Sequence, residues 1–118
     1  MPQNLVSITR TNNIDDPAEI KAALVQLLSH LQPVLHFRPG AQILVKLNLC
    51  LIKGSETGAT SDPFITRCLV EWLLEHCAPA EIILAESDAT HLSADLAFKL
   101  LGWDPYFRNM PRTARMSG

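Results

Sequence analysis

A lysine and an asparagine interrupt an apolar run that has the length of a buried strand. The run spans Ala41 to Leu49, and Lys46 and Asn48 stand two residues apart within it. Side chains alternate between faces along a strand, so both point to the face on which a helix would pack. Burying an unpaired ammonium and an unpaired amide is costly. The pattern therefore predicts either a cleft that these groups reach or acidic neighbours that satisfy them.

Two loops that follow predicted strands could form such a cleft. In an open α/β sheet, ligands bind beyond the carboxyl ends of the strands, which here means the loops 50–61 and 87–91. An ammonium and an amide at this edge suit an anionic small ligand, and the first loop adds hydroxyl groups. The predicted ligand-binding residues are Lys46, Asn48 and Thr60.

Carboxylates in and beside the same loops suggest a hard divalent cation, which prefers oxygen ligands. Glu56 and the hydroxyls of Thr57 and Ser87 could add further donors. The predicted metal ligands are Asp62, Glu86 and Asp88. The sequence does not decide whether this cleft belongs to an enzyme, and it names no cofactor beyond such a cation.

A structural interpretation competes with this site at each position. Lys46 and Glu86 could form an internal tie between adjacent strands, with the lysine stem on apolar surface. Asp62 could act as a helix cap alone. The chain would then be a non-catalytic structural or interaction fragment.

Other kinds of site lack their required pattern. In the segment Gly54–Thr60 the two glycines are one residue too close for a phosphate-binding loop, and alanine replaces the lysine. The four histidines form no pair with zinc-ligand spacing. No serine lies in a G-x-S-x-G motif, so hydrolase chemistry has no support.

Local signals predict three strands and three helices. Asp-Pro dipeptides at residues 16–17 and 62–63 place a capping carboxylate before a proline that needs no hydrogen-bond donor. These two helices end near Pro33 and Pro79. The predicted strands cover Leu5–Ile8, Ala41–Leu49 and Glu81–Glu86, and the third helix covers Leu92–Leu101 with Gly102 as its stop.

The order β-α-β-α-β-α predicts an α/β fold. Short connections between alternating elements favour parallel strands joined by right-handed crossovers. We expect a small, mainly parallel sheet, either in a three-layer sandwich or as half of a doubly wound domain. One domain is expected over residues 1–103, and residues 104–118 are expected to form a disordered or extended tail.

Composition excludes several classes of protein. A hydrophobic content of 47% with 19% charged residues is typical of a folded globular chain. The formal net charge of -2 provides no basic surface for binding nucleic acid.

No run approaches the roughly 20 apolar residues of a spanning helix, and a signal-peptide pattern is missing, so we expect a cytoplasmic protein without a membrane partner. Three cysteines without a C-x-x-C pair cannot complete an iron–sulfur ligand set from this chain.

Three segments carry a family resemblance. Val45–Cys50 is a strand ending in Lys-x-Asn, Glu56–Pro63 contains Gly-Ala-Thr-Ser-Asp-Pro before a helix, and Ile83–Asp88 runs into a Glu-Ser turn. In this order they resemble the domain-of-unknown-function 362 family (DUF362), with Ser61 in place of the usual second threonine. The likeness covers roughly residues 40 to 102.

The resemblance implies an uncharacterised protein with a suspected redox or metal-linked role. Family members are sometimes joined to a ferredoxin-like module, so an iron–sulfur cluster would come with another module. The family domain is commonly at least twice as long, so the resemblance implies that this chain corresponds to its amino-terminal half. A half-domain would leave an apolar edge or face uncovered, so we expect self-association or docking of the missing family segment.

Overall fold

The fold is described from a computed structural model. It covers residues 4–49, 53–87, 93–111 and 114–117. Short 3₁₀ turns occupy Gln32–Val34 and Ser55–Thr57. The longer elements, in chain order, are α1 (Pro17–Leu31), β1 (Gln42–Lys46), α2 (Pro63–Cys77), β2 (Glu81–Ala85), α3 (Ala94–Leu100), α4 (Asp104–Phe107) and β3 (Ala114–Ser117).

Both long helices begin where the Asp-Pro dipeptides predict. The Asp16 carboxylate accepts hydrogen bonds from two amides of the first turn of α1. The Asp62 carboxylate accepts one from the Ile65 amide at the start of α2, at 2.8 Å. These amides have no carbonyl partner within their own helix, so the caps stabilise the helix ends.

The sheet is parallel throughout, with the strand order β1-β2-β3. Each new strand therefore pairs with the strand before it in the chain, and the sheet grows in one direction. Right-handed crossovers then place both connecting helical segments on one face of the sheet. The α/β class with a small parallel sheet is confirmed, and the described elements form two layers, as in half of a doubly wound domain.

The core lies between this face and the helices. Ile43, Ile82 and Leu84 provide the sheet side and are buried. The helices and the residue that precedes α4 complete the cluster. Its buried members on this side are Leu28, Val70, Trp72, Leu73, Ala94, Ala97, Phe98 and Trp103. Removing this apolar surface from water is the main stabilising contribution to the fold.

The opposite face of the sheet is open in the described part of the chain. Leu44 lies beside Ile83 in the β1-β2 register, and 63% of its surface is exposed. Neither residue belongs to the core cluster. An uncovered apolar face is where self-association or docking of a further segment would occur. Such a partner stays a prediction.

The predicted first strand is wrong. Leu5–Ile8 has no strand structure, and Val6 and Ile8 are exposed. The chain instead follows α1, because the Thr9 hydroxyl donates a hydrogen bond to the Ala23 carbonyl at 3.0 Å. This side-chain contact holds the segment against the helix rather than beside β1.

The third strand comes from the segment expected to be a disordered or extended tail. β3 pairs in parallel with β2, and Met116 packs against the core. Arg115 Nε donates a hydrogen bond to Glu81 Oε1 at 2.5 Å, which also forms an ion pair. Together with the short helix α4, these contacts tie residues beyond 103 to the domain.

Candidate functional site

The candidate site lies at the carboxyl edge of the sheet, where β1 and β2 end side by side. The chain after β1 remains attached to β2, because the Leu47 amide donates to the Ala85 carbonyl at 2.8 Å. Ligands of open α/β sheets bind at this edge. The polar residues that interrupt or follow the two strands are therefore brought to one place.

Glu86 is a buried acceptor at this edge, with only 8% of its surface exposed. Its Oε1 accepts hydrogen bonds from Lys46 Nζ at 2.5 Å and from the Ser87 amide at 2.8 Å. Its Oε2 accepts one from the Leu49 amide, also at 2.8 Å. The carboxylate thus connects the end of β2 to the segment that follows β1.

Lys46 differs from its partner in exposure. Its side chain is 61% exposed, although Nζ contacts Glu86 and also donates to the Leu47 carbonyl at 2.5 Å. A lysine ammonium has three N–H donors. Among the described residues, two acceptors bind this ammonium, which leaves one N–H for a ligand. The structure therefore holds a fixed, accessible positive charge at the carboxyl edge.

The electrostatics of Glu86 follow from its contacts. Burial raises the pKa of its carboxyl group, but the hydrogen bonds from Lys46, Leu49 and Ser87 and the lysine charge outweigh that effect. The net result is a lowered pKa. Glu86 is therefore ionised at neutral pH, and its charge orients the lysine ammonium.

The lowered pKa of Glu86 predicts how stability changes with pH. A carboxyl group with a lower pKa in the folded state contributes stability above its unfolded value, near pH 4.5, and loses it as pH falls through the folded value. Urea denaturation between pH 6 and pH 3 should show a steeper loss of stability for the natural chain than for Glu86→Gln. Parallel pH profiles of the two proteins would contradict this expectation.

Asn48 connects the β1 edge to the loop before α2. The backbone N–H of Asn48 donates to the Ser61 hydroxyl, and the backbone N–H of Ser61 donates to the backbone carbonyl of Asn48, both at 3.0 Å. Asn48 is exposed. It lies on the same side of the chain as Lys46, two residues earlier, so both side chains face the carboxyl edge from one direction.

Thr60 and Asp62 shape the neighbouring loop. The buried Thr60 hydroxyl donates to the Lys53 carbonyl at 2.8 Å. Asp62 Oδ1 accepts from the Ser55 hydroxyl at 2.6 Å, in addition to capping α2. Both residues line a cavity of about 270 Å³. Lys46, Asn48 and Glu86 do not line it, so the predicted residues form two adjacent groups joined through the Asn48–Ser61 hydrogen bonds.

The predicted cation site stays a prediction. Asp62 and Glu86 each accept hydrogen bonds with both carboxylate oxygens. Asp88, the third predicted ligand, lies outside the described residues. Among residues whose placement is described, no three His, Cys, Asp or Glu side chains form a group that could hold a metal ion.

Sequence reasoning missed the second wall of the small cavity. Trp103 and Tyr106 line it opposite the loop that carries Thr60 and Asp62. The aromatic run from Trp103 to Phe107 is the sequence feature that could have indicated this wall, but it spans the predicted end of the domain and the start of the tail. Ser61 and Ser87 were also missed as hydrogen-bonding partners of Asn48 and Glu86.

These features define a small parallel α/β domain with a lysine–glutamate pair at its carboxyl edge. The family model described as domain of unknown function (DUF362) matches residues 43–116, more than half of the chain. The chain belongs to this family. The match extends beyond residue 102 and includes all but the last residue of β3.

Further comparisons add no relative. No curated protein and no solved structure gave a significant match to the chain. None of the helices in the described ranges is long and apolar enough to cross a membrane.

Proposed function

We propose that this domain binds a small anionic ligand at the carboxyl edge of its sheet, with Lys46 as the principal contact. The observation that carries the proposal is the pairing of a buried carboxylate with an accessible ammonium. A purely structural ion pair has no need to leave the cation exposed. A binding lysine must be both reachable and fixed, because immobilising a flexible side chain on binding costs affinity.

Each residue has a distinct part in the proposal. Glu86 positions Lys46, whose third N–H donates to the ligand. The side-chain amide of Asn48, two residues farther along on the same side of the chain, adds hydrogen bonds to the ligand. Thr60 acts indirectly, because its hydroxyl fixes the backbone of the loop at Lys53.

The net charge of the pair sets the class of ligand. Glu86 neutralises much of the lysine charge, so an isolated monovalent anion gains little there. A multivalent oxyanion such as a phosphate group gains more, since charge-assisted hydrogen bonds are the strong ones. Divalent cations enter the proposal as partners of such an anion, with Asp88 as a proposed ligand. Among the described residues, no group of metal-ligating side chains supports a redox role or an iron–sulfur cluster contributed by another module.

Nuclear magnetic resonance of lysine side chains tests the proposal. The chain labelled with ¹³C-lysine is titrated with pyrophosphate, with and without Mg²⁺ or Mn²⁺. We expect a saturable shift of the Lys46 ε-methylene signal. The matched control is Lys21, which pairs with Glu71 on the helical side of the domain. An unsaturable response, or equal shifts of Lys46 and Lys21, would overturn the proposal.

A further inference from the structure

A second, larger cavity lies on the helical side of the domain. Its volume is about 570 Å³, which falls in the range of small-molecule sites. Its floor is apolar and comes from both long helices and the segment before α1. The apolar lining residues are Ile14, Ile20, Ala23, Leu24, Leu27 and Ile65.

The segment expected to be a strand leads into the wall of this cavity. Thr9 lines it and is tied to α1 by its hydrogen bond to the Ala23 carbonyl. Farther along the segment, Glu19 Oε1 accepts hydrogen bonds from the backbone N–H groups of Asn12 and Asn13. The wall is therefore anchored to α1 at two points, and the cavity exists because this segment does not join the sheet.

The polar part of the lining has one sign of charge. Asp15, Glu56 and Asp62 contribute carboxylates, and no lysine, arginine or histidine from the described part of the chain belongs to the lining. Asp15 and Glu56 are exposed. An anion would be repelled there, and a bare metal ion would gain nothing from the apolar floor. The complementary ligand carries one positive charge on an apolar body.

We infer that this cavity binds a small organic ammonium compound, with its apolar body on the floor between α1 and α2 and its charge at the acidic rim. Burial of the apolar body supplies affinity. The rim carboxylates select the head group, because a cation near several carboxylates is favoured over a neutral or negative group. This site is separate from the anion site proposed at Lys46.

Three probes with one apolar body test the inference: 4-phenylbutylammonium, 4-phenylbutanol and 4-phenylbutyrate. Binding to the full chain is followed by chemical shifts of the Leu24 and Leu27 methyl groups. We expect the ammonium compound to bind about tenfold more tightly than the alcohol, and the carboxylate most weakly. Equal binding of all three probes, or no shift at these methyl groups, would overturn the inference.

Two variants locate the binding energy. Glu56→Gln should weaken ammonium binding by about two- to fivefold and leave the alcohol unchanged, because one exposed charge contributes modestly. Ile65→Lys should abolish ammonium binding by placing a positive charge in the cavity, while Asp62 still caps the backbone amide. Glu75→Gln, near the far end of α2, is the matched control and should have no effect.

The two proposed sites can fail independently. Lys46→Met should leave ammonium binding unchanged, and Glu56→Gln should leave the response of Lys46 to pyrophosphate unchanged. If Glu56→Gln fails to weaken ammonium binding, the assignment of the acidic rim is wrong, whatever the result at Lys46.

Discussion

Replacing Glu86 by alanine is expected to lower the free energy of unfolding by about 3 kcal/mol. The substitution removes the acceptor for the amides of Leu49 and Ser87 and for the Lys46 ammonium. A loss of this size in a domain of this length lowers the melting temperature by about 10 °C. Urea denaturation and thermal melting both measure it.

Two further substitutions separate the contributions to that loss. Lys46→Met should cost about 1 kcal/mol or less, because an exposed charge in an ion pair contributes little and two amides still satisfy the carboxylate. The loss of stability in Glu86→Gln should lie between those of Glu86→Ala and Lys46→Met, since the glutamine side-chain oxygen can still accept a hydrogen bond. Equal losses for Glu86→Ala and Lys46→Met would contradict the asymmetry and favour a simple structural tie.

Replacing Trp103 by alanine is expected to cost about 4 kcal/mol. Its side chain is 1% exposed and is the largest of those that are fully buried. The indole stacks on Phe107, with ring centroids 5.8 Å apart, and meets the edge of Phe98 at 5.7 Å. The substitution leaves a void between α3, α4 and the rest of the core, and denaturation curves measure its cost.

Leu100→Ala is the matched control for Trp103. It removes an apolar side chain from α3, but Leu100 is 55% exposed, and its loss should cost about 0.5 kcal/mol. If Trp103→Ala were equally mild, the described packing of residues 103–107 would be wrong. The larger loss would show that Trp103, the last residue of the predicted domain, belongs to the core together with the Phe107 ring that stacks on it from beyond that boundary.

The two long helices were predictable because their signals are local. An aspartate followed by proline defines the first turn of α1 and of α2, and the later prolines end both helices without reference to the rest of the chain. The strands β1 and β2 were predictable for a similar reason. Each is a short apolar run between turn residues, and both lie within their predicted ranges.

The remaining strand depended on distant contacts. Leu5–Ile8 has the composition of a strand, but the segment lies along α1, where the Thr9 hydroxyl hydrogen-bonds to the Ala23 carbonyl. Residues 114–117 are a mixture of apolar and polar residues without a clear strand pattern, yet they pair in parallel with β2 and pack Met116 against the core. Composition cannot show which segment reaches an open edge of a sheet, because that choice depends on tertiary packing.

The site was predictable in its chemistry more than in its geometry. Two polar residues in an apolar run require a partner, and the acidic residues after the next predicted strand, Glu86 and Asp88, are the natural candidates. The exposure of Lys46 was not predictable, since it depends on which face of the sheet the helices cover. The same uncovered face explains why the lysine can be fixed by a buried group and still reach solvent.

The most direct test of this account compares ligand affinity with stability in Lys46→Met. Titration calorimetry with pyrophosphate gives the affinity, thermal melting gives the stability, and Lys21→Met serves as the matched control. We expect Lys46→Met to lose at least about tenfold in affinity, as for a charge-assisted hydrogen bond, while its melting temperature falls by a few degrees at most. Unchanged affinity with a large fall in melting temperature would contradict the account and reduce the pair to a structural tie.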